Sequence, residues 1–302
     1  MKILVTGADG LVGSHFVDAY LKIPGSEILL TPNIKELDIT NPKELSNYFS
    51  QHKPKTVIHF AAFTDVSKAE EERNNEQGLA WQVNVTGTSN IVQNCLAYRS
   101  FLIHISTDVV FAGRLEKPGP YKETDPPENN PDFLSWYGWT KRKAESQVTE
   151  KLPTYTIIRI SNPTRAHFAP KLDYIRKILW LFDQKKLYPM FQDQYLTLTY
   201  INEVSKALMK ILQEQKTGVF HVSSSDLFTP LELANYLLEK ARGVKNQVKP
   251  ASIVEYLQNS PSRARYPILG GLKTEKTQKE LGVSFRGWKQ IIDALIKEGL
   301  KI

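Results

Sequence analysis

The chain has 302 residues, of which 41% are hydrophobic and 24% charged, and a formal net charge of +7. That balance is ordinary for a globular protein able to bury one large core, or a core with a smaller companion. A lone cysteine, Cys95, excludes an internal disulfide and suits a reducing compartment. Apolar stretches such as "YIRKILWLF" are broken by charge and too short to span a bilayer, and "MKILVTG" reads as a strand rather than a leader. A cytoplasmic protein without a membrane partner is expected. The basic residues are scattered, and their densest cluster, Lys141 to Lys143, falls inside one helical segment. Such a field favours small anionic ligands and leaves no nucleic-acid footprint.

In chain order, "KILVTG", "EILLT", "KTVIHFAA", "SFLIHIST" and "YTIIRIS" are short apolar runs rich in β-branched residues. Helical spacing fills the gaps at Leu11–Leu21, Pro42–Gln51 and Ala80–Tyr98. Continuous apolar strands alternating with helices predict an α/β fold, a doubly wound, Rossmann-like parallel sheet buried on both faces. Beyond residue 161 the pattern loosens into an amphipathic segment at Leu172–Lys186, a strand and helix in "LTLTYINEVSKALMKILQ", a strand in "GVFHVSS", and helices near 229–242 and 285–298. The expected division is a dinucleotide-binding domain over 1–161 and a smaller, mostly helical substrate-binding part over 162–302. Residues 197–222 are expected to return to the sheet. The Pro-rich "KPGPYKETDPPENNP" is the longest loop.

"VTGADGLVGSH" sets Gly7, Gly10 and Gly13 where the first strand turns into the first helix. There Gly7 permits the turn, Gly10 lets backbone approach a pyrophosphate, and Gly13 lets the helix press on the sheet. The helix N-terminus adds partial positive charge. The second strand ends "LLTPN", without the acid that holds the ribose of NAD, and Lys35 follows nearby. The expected cofactor is therefore NADP(H), with NAD(H) kept open.

Tyr137 and Lys141, in "SWYGWTKRKAES", stand one helical turn apart on one face. Spacing alone says little, since Tyr236 and Lys240 repeat it in "YLLEK". Position says more. The segment follows the fourth strand, whose end carries Ser106, Thr107 and Asp108, and ligands of open α/β sheets bind beyond the carboxyl ends of the strands. A lysine ammonium close to Tyr137 would draw the phenol below its ordinary value of about 10, fitting it to protonate a carbonyl oxygen as hydride arrives. The six histidines show no metal-ligand spacing, so no metal is expected, and His59, His104 and His221 read as strand residues of the core. Arg159, also in a strand, is expected to pair internally.

With these residues in place, the chain resembles the extended short-chain dehydrogenases/reductases, and among them the dTDP-4-dehydrorhamnose reductases. The likeness is carried by "GADGLVG", "LDIT", "VIHFAAFTDVSKAE", "VNVTGT", "STDVVFAG", "PYKETDPP", "YGWTKRKAE" and "ARYPILGGL". It implies an NAD(P)-dependent oxidoreductase with Thr107, Tyr137 and Lys141 as catalytic triad. It places Gly7, Gly10, Leu11 and Val12 at the pyrophosphate, Asp38 and Ile39 at the adenine, and Ala61, Ala62 and Thr64 at the ribose. Asn84 resembles the helix asparagine of a proton relay, Asp108 would lie at the sugar, and Arg263 and Arg265 suit a diphosphate.

Val109, which cannot ionise, follows the Thr-Asp pair where related dehydratases carry an acid, so simple carbonyl reduction fits better. The sequence departs from the reductase pattern at Val109 itself, where a tyrosine is usual, and at Asn162 and Pro163, near which a pocket tryptophan is common. The expected partner is a nucleotide-sugar substrate, with a homodimer kept open. The alternative is a non-catalytic NADP-binding regulatory subunit resembling that of methionine adenosyltransferase.

Overall fold

The apolar runs of the first half form strands of a parallel sheet in the computed structural model, which describes residues 2–259 and 266–302. In chain order they and their helices are β1 (Lys2–Thr6), α1 (Gly13–Tyr20), β2 (Ile28–Leu30), α2 (Pro42–His52), β3 (Thr56–His59) and α3 (Val66–Glu71). A short helix α4 (Leu79–Trp81) continues through a π-helical segment, Gln82–Gly87, into α5 (Thr88–Tyr98). Then come β4 (Phe101–Thr107), α6 (Trp136–Lys151), β5 (Tyr155–Ile160), β6 (Pro163–Thr164), α7 (Tyr174–Asp183), β7 (Met190–Phe191) and β8 (Thr199–Tyr200). The remainder is α8 (Ile201–Glu214), β9 (Gly218–Val222), α9 (Pro230–Arg242), β10 (Pro250–Ala251), α10 (Ile253–Asn259), α11 (Glu275–Leu281) and α12 (Trp288–Lys297).

The strand order of the main sheet is β2-β1-β3-β4-β5-β9. β1 runs parallel to β2 and β3, and β3 parallel to β4. The chain leaves β1 towards β2 on one side and later resumes at β3 on the other, so a topological switch lies at the carboxyl end of β1. Two registers matter for chemistry: Thr6 aligns with His59, and His59 with His104. Three polar side chains thus line up in one row across neighbouring strands.

The chain separates into two compact units. The first comprises the chain up to Val110, Pro126–Arg159 and Leu208–Phe220. Its core packs Leu4, Phe49, Val57, Ile91, Leu102 and Ile157 between sheet and helices. Asn41 caps α2 by accepting from Lys43 and Glu44 N–H ahead of Pro42, a cap worth about 1 kcal/mol. The second unit comprises Phe111–Asp125, Ile160–Ala207 and the described residues from His221 onward. Its core is built from Ile175, Ile178, Leu198, Phe228, Leu237 and Ile291. Thr229 and Glu232 close a reciprocal capping box on α9, which ends on Gly243 in the left-handed region. Small parallel pairs, β7 with β10 and β6 with β8, stitch its loops together.

The helix expected over Ala80–Tyr98 is present but not regular. Its π-helical segment carries Asn84 and ends at Gly87, where an added Cβ would come within 2.7 Å of Ile39 Cδ1. Nothing in hydrophobic spacing signals such a bulge, which is a frequent mark of functional sites. Among the described residues, no helix is long and apolar enough to cross a membrane.

Candidate active site

Gly7 turns the chain out of β1 with φ +68, and a Cβ there would lie 2.6 Å from Ala61 N. A Cβ on Gly13 would lie 2.2 Å from Gly7 O. Both positions exclude any side chain, so this turn exposes backbone at the start of α1, the arrangement that receives phosphate. Gly10, Leu11 and Val12 form the turn itself and are half-buried. Ala61 and Ala62 leave β3 beside it, and Thr64 is exposed.

Asp38 and Ile39 sit on the approach to α2. The Asp38 carboxylate accepts from Thr40 N–H and Thr40 Oγ1, both at 2.8 Å, and so shapes its own turn. The Ile39 side chain is in the core, and its carbonyl accepts from Asn90 Nδ2 at 3.0 Å.

Asn84 spends its whole amide on positioning. Its Oδ1 accepts from Phe63 N–H at 2.8 Å, while Nδ2 donates to Phe63 O and, at 2.9 Å, to Thr140 Oγ1. Thr140 in turn donates to Tyr137 O at 2.8 Å. The π-helical segment therefore ties the loop after β3 to the first turn of α6.

That turn is secured from two more directions. Ser135 Oγ caps it through Gly138 N–H at 3.0 Å, and Glu70 accepts from Trp136 N–H at 2.9 Å. Arg73, paired with Glu70, donates to the carbonyls of Pro131 and Leu134 in the preceding loop. Trp136 stacks on Trp81, with centroids 5.6 Å apart, and is a packing residue; Trp139 is half-buried.

At the end of β4, Thr107 and Asp108 are buried, and Thr107 Oγ1 lies 3.2 Å from Asp108 Oδ1. The Tyr137 phenol faces Thr107 and Asp108, close enough for both to act on it. Burial pushes the phenol above its usual value, the Asp108 carboxylate pushes in the same direction, and the Thr107 hydroxyl opposes both. This differs from the lowering expected from Lys141. The reason is geometric: Lys141 Nζ donates to Ile105 O at 2.8 Å and lies 3.2 Å from His104 Nε2, so the ammonium is held on β4. Burial depresses Lys141 to about 8, and the Glu145 carboxylate only partly opposes that. Arg263 and Arg265 lie outside the described residues.

The geometry adds groups that the sequence reading passed over. Glu145 continues the Tyr137–Lys141 spacing by one more turn and forms a buried two-point ion pair with Arg159, at 2.9 Å and 2.8 Å. The repeated interval of four was a usable signal. His104 and His59 share the register row with Thr6, and only the strand pairing brings them to Lys141. Glu145→Ala would leave the Arg159 guanidinium buried without its carboxylate, so a loss of about 3–5 kcal/mol is expected in urea unfolding. A change below about 1 kcal/mol would contradict that role.

Residues 1–300 match the family described as RmlD substrate binding domain. The spore coat polysaccharide biosynthesis protein SpsK of Bacillus subtilis is 27% identical over 98% of this chain and 97% of its own length. A dTDP-4-dehydrorhamnose reductase of Sinorhizobium fredii is 28% identical over 99% of each chain. Among solved structures, dTDP-4-dehydrorhamnose reductase from Bacillus anthracis, in complex with NADP, superposes with a TM-score of 0.84 at 24% identity, covering 98% of this chain and 99% of the other. The family match spans nearly the whole length, and the chain belongs to the RmlD substrate binding domain family.

Proposed function

We propose that this chain is an oxidoreductase that uses NADP(H), with NAD(H) as second choice, to reduce the 4-keto group of a nucleotide-activated deoxysugar. The reaction is the dTDP-4-dehydrorhamnose reductase step of dTDP-L-rhamnose synthesis. The observation carrying this reading is the meeting of Thr107, Asp108 and the Tyr137 hydroxyl at the carboxyl end of β4, with the Lys141 ammonium held on the same strand.

The side-chain-free turn at Gly7 and Gly13 fits a dinucleotide pyrophosphate. Gly10, Leu11 and Val12 would bind it there, with Asp38, Ile39, Ala61, Ala62 and Thr64 along the rest of the cofactor; Asn84, expected among them, would act only by holding the loop after β3. When bound, NADPH supplies hydride to a ketone carbon. Tyr137 Oη gives its proton to the ketone oxygen, and the Thr107 hydroxyl holds that oxygen. An alkoxide forming on a ketone is a far stronger base than a phenolate, so a phenol held above its usual pKa still transfers its proton downhill. Lys141 retains one ammonium hydrogen with no protein partner among the described residues, available to a ribose hydroxyl. Its charge also stabilises the phenolate left behind. Asp108 would meet the sugar, and Arg263 and Arg265 remain candidates for the diphosphate.

Lys35 is exposed beyond β2, and no acid stands at the end of that strand. Lys35→Ala is expected to raise KM for NADPH about fivefold, the factor carried by about 1 kcal/mol of exposed ion pairing, and to leave KM for NADH unchanged. Equal effects on both cofactors would remove Lys35 from the 2′-phosphate.

The proposal includes action in the cytoplasm and assembly as a homodimer, which light scattering would check. Its direct test is NADPH oxidation at 340 nm against dTDP-, GDP-, UDP- and CDP-linked 4-keto sugars, with the dTDP-linked 6-deoxy compound expected to react. Tight NADPH binding without oxidation by any of them would favour the non-catalytic alternative. Against that alternative stands the convergence of Thr107, Tyr137 and Lys141, which a scaffold does not need.

A further inference from the structure

Behind the reactive face, two buried imidazoles lie side by side, His59 on β3 and His104 on β4, with ring centroids 5.3 Å apart. Their hydrogen-bond partners assign them opposite tautomers. Thr88 Oγ1 donates to Asn84 O at 2.6 Å, so its oxygen accepts from His59 Nε2–H at 3.1 Å. His59 Nδ1 is then the acceptor for the Thr6 hydroxyl at 2.7 Å. Both nitrogens of His59 are thereby committed to the scaffold.

His104 differs. Its Nε2 lies 3.2 Å from Lys141 Nζ, while Nδ1 is buried with no hydrogen-bond partner among the described residues. An ammonium can only donate, so Nε2 presents its lone pair and the ring proton resides on Nδ1. A buried N–H without an acceptor is unfavourable, and one that persists calls for an explanation. The bond on the other nitrogen supplies it.

We propose that His104 is a positioning residue for Lys141, holding the ammonium against β4 by accepting a hydrogen bond at Nε2. With Ile105 O it fixes two of the three ammonium hydrogens and leaves the third for ligand. The role of Lys141 in turnover rests on the function proposed above; the bond itself does not. The charged and titratable groups around Lys141 are His104 from β4, His59 from β3, Glu145 from α6 with its partner Arg159 from β5, and Asp108 and Tyr137 at the open end. Burial and the Lys141 charge keep both imidazoles neutral: His59 is depressed to about 3, and His104 lies well below its ordinary value. His104 therefore serves as an acceptor throughout the working pH range.

The test combines nitrogen-15 NMR of wild-type histidines with a carbon-13 titration of Lys141 in wild type, His104→Gln and His104→Leu, all without substrate. At pH 6.5 His104 is expected to carry its proton on Nδ1; a proton on Nε2 overturns the proposal and needs no variant to fold. In His104→Leu the Lys141 pKa should fall by about one unit or more, the shift expected from losing a hydrogen bond to a charged group. His104→Gln, whose Oε1 can accept, should stay near wild type. The falling alkaline limb of kcat/KM should move with Lys141 in each variant. Unchanged Lys141 titration in His104→Leu overturns the proposal. Absence of turnover in wild type, with the NMR results as expected, would instead remove the proposed reaction and leave the His104 bond standing.

Discussion

Tyr137→Phe is expected to lower kcat by roughly 10²–10⁴-fold while leaving NADPH affinity within about twofold. The ring packs against the cluster of Ala69, Ala80 and Trp136, and phenylalanine fills the same space, so the helix start should persist. Thr107 keeps its contact with Asp108 Oδ1 at 3.2 Å. What disappears is the one acidic proton aimed at an incoming oxygen. Steady-state oxidation at 340 nm and a fluorescence titration with NADPH separate the two quantities. Turnover within tenfold of wild type would assign the proton to another group. Because the phenol is held above its usual pKa, the alkaline decline of kcat/KM in wild type belongs to Lys141, near pH 8, with activity present below that value and lost above it.

Lys141→Met is expected to abolish turnover and to alter the pH dependence of stability in a defined direction. Lys141 titrates at about 8 in the fold against an ordinary value of 10.5. Between these values the unfolded chain binds the extra proton, so this group makes wild-type stability climb as pH rises through the window. Below pH 8 the whole penalty of burying the ammonium is present, about 3 kcal/mol at about 1.4 kcal/mol per unit. Methionine removes that penalty and leaves the Ile105 carbonyl without its donor, which costs about 1–3 kcal/mol at every pH. The net sign at pH 7 depends on both, but the slope depends on the first alone. The stability of the variant relative to wild type should thus decline by about 3 kcal/mol from pH 7 to 10.5, read from urea melts across pH. A constant difference would mean that Lys141 is not forced to bury its charge.

Some of this was legible in the residues and some was not, for physical reasons. Gly7 and Gly13 stand where backbone crowding tolerates nothing larger, and such positions leave a local imprint on sequence. Strand and helix periods are local too, which is why α2, α9 and the five leading strands fall close to their expected limits. The interval of four between Tyr137 and Lys141 is local but ambiguous. Tyr236 and Lys240 share it, yet there the lysine lies over the ring at 5.4 Å and the phenol donates to Asp293, on a partly exposed helix. Strand register separates the two cases, and register is a long-range property.

For the same reason the direction taken by the Lys141 ammonium was missed. Its partners, Ile105 and His104, lie on a strand more than 30 residues earlier, and the ammonium turns to them rather than visibly drawing down the phenol. The π-helical segment at Gln82–Gly87 leaves the polar and apolar pattern intact, so no periodicity could reveal it.

The most direct measurement is the mass of the sugar product formed from a dTDP-linked 4-keto-6-deoxy sugar with NADPH carrying deuterium at the transferred position. One deuterium on the carbinol carbon of the product, and about a hundredth or less of that amount from Tyr137→Phe over the same time, is the expected result. A product without deuterium, or substrate returned with its ketone intact while the cofactor stays reduced, would contradict a net reduction at this site.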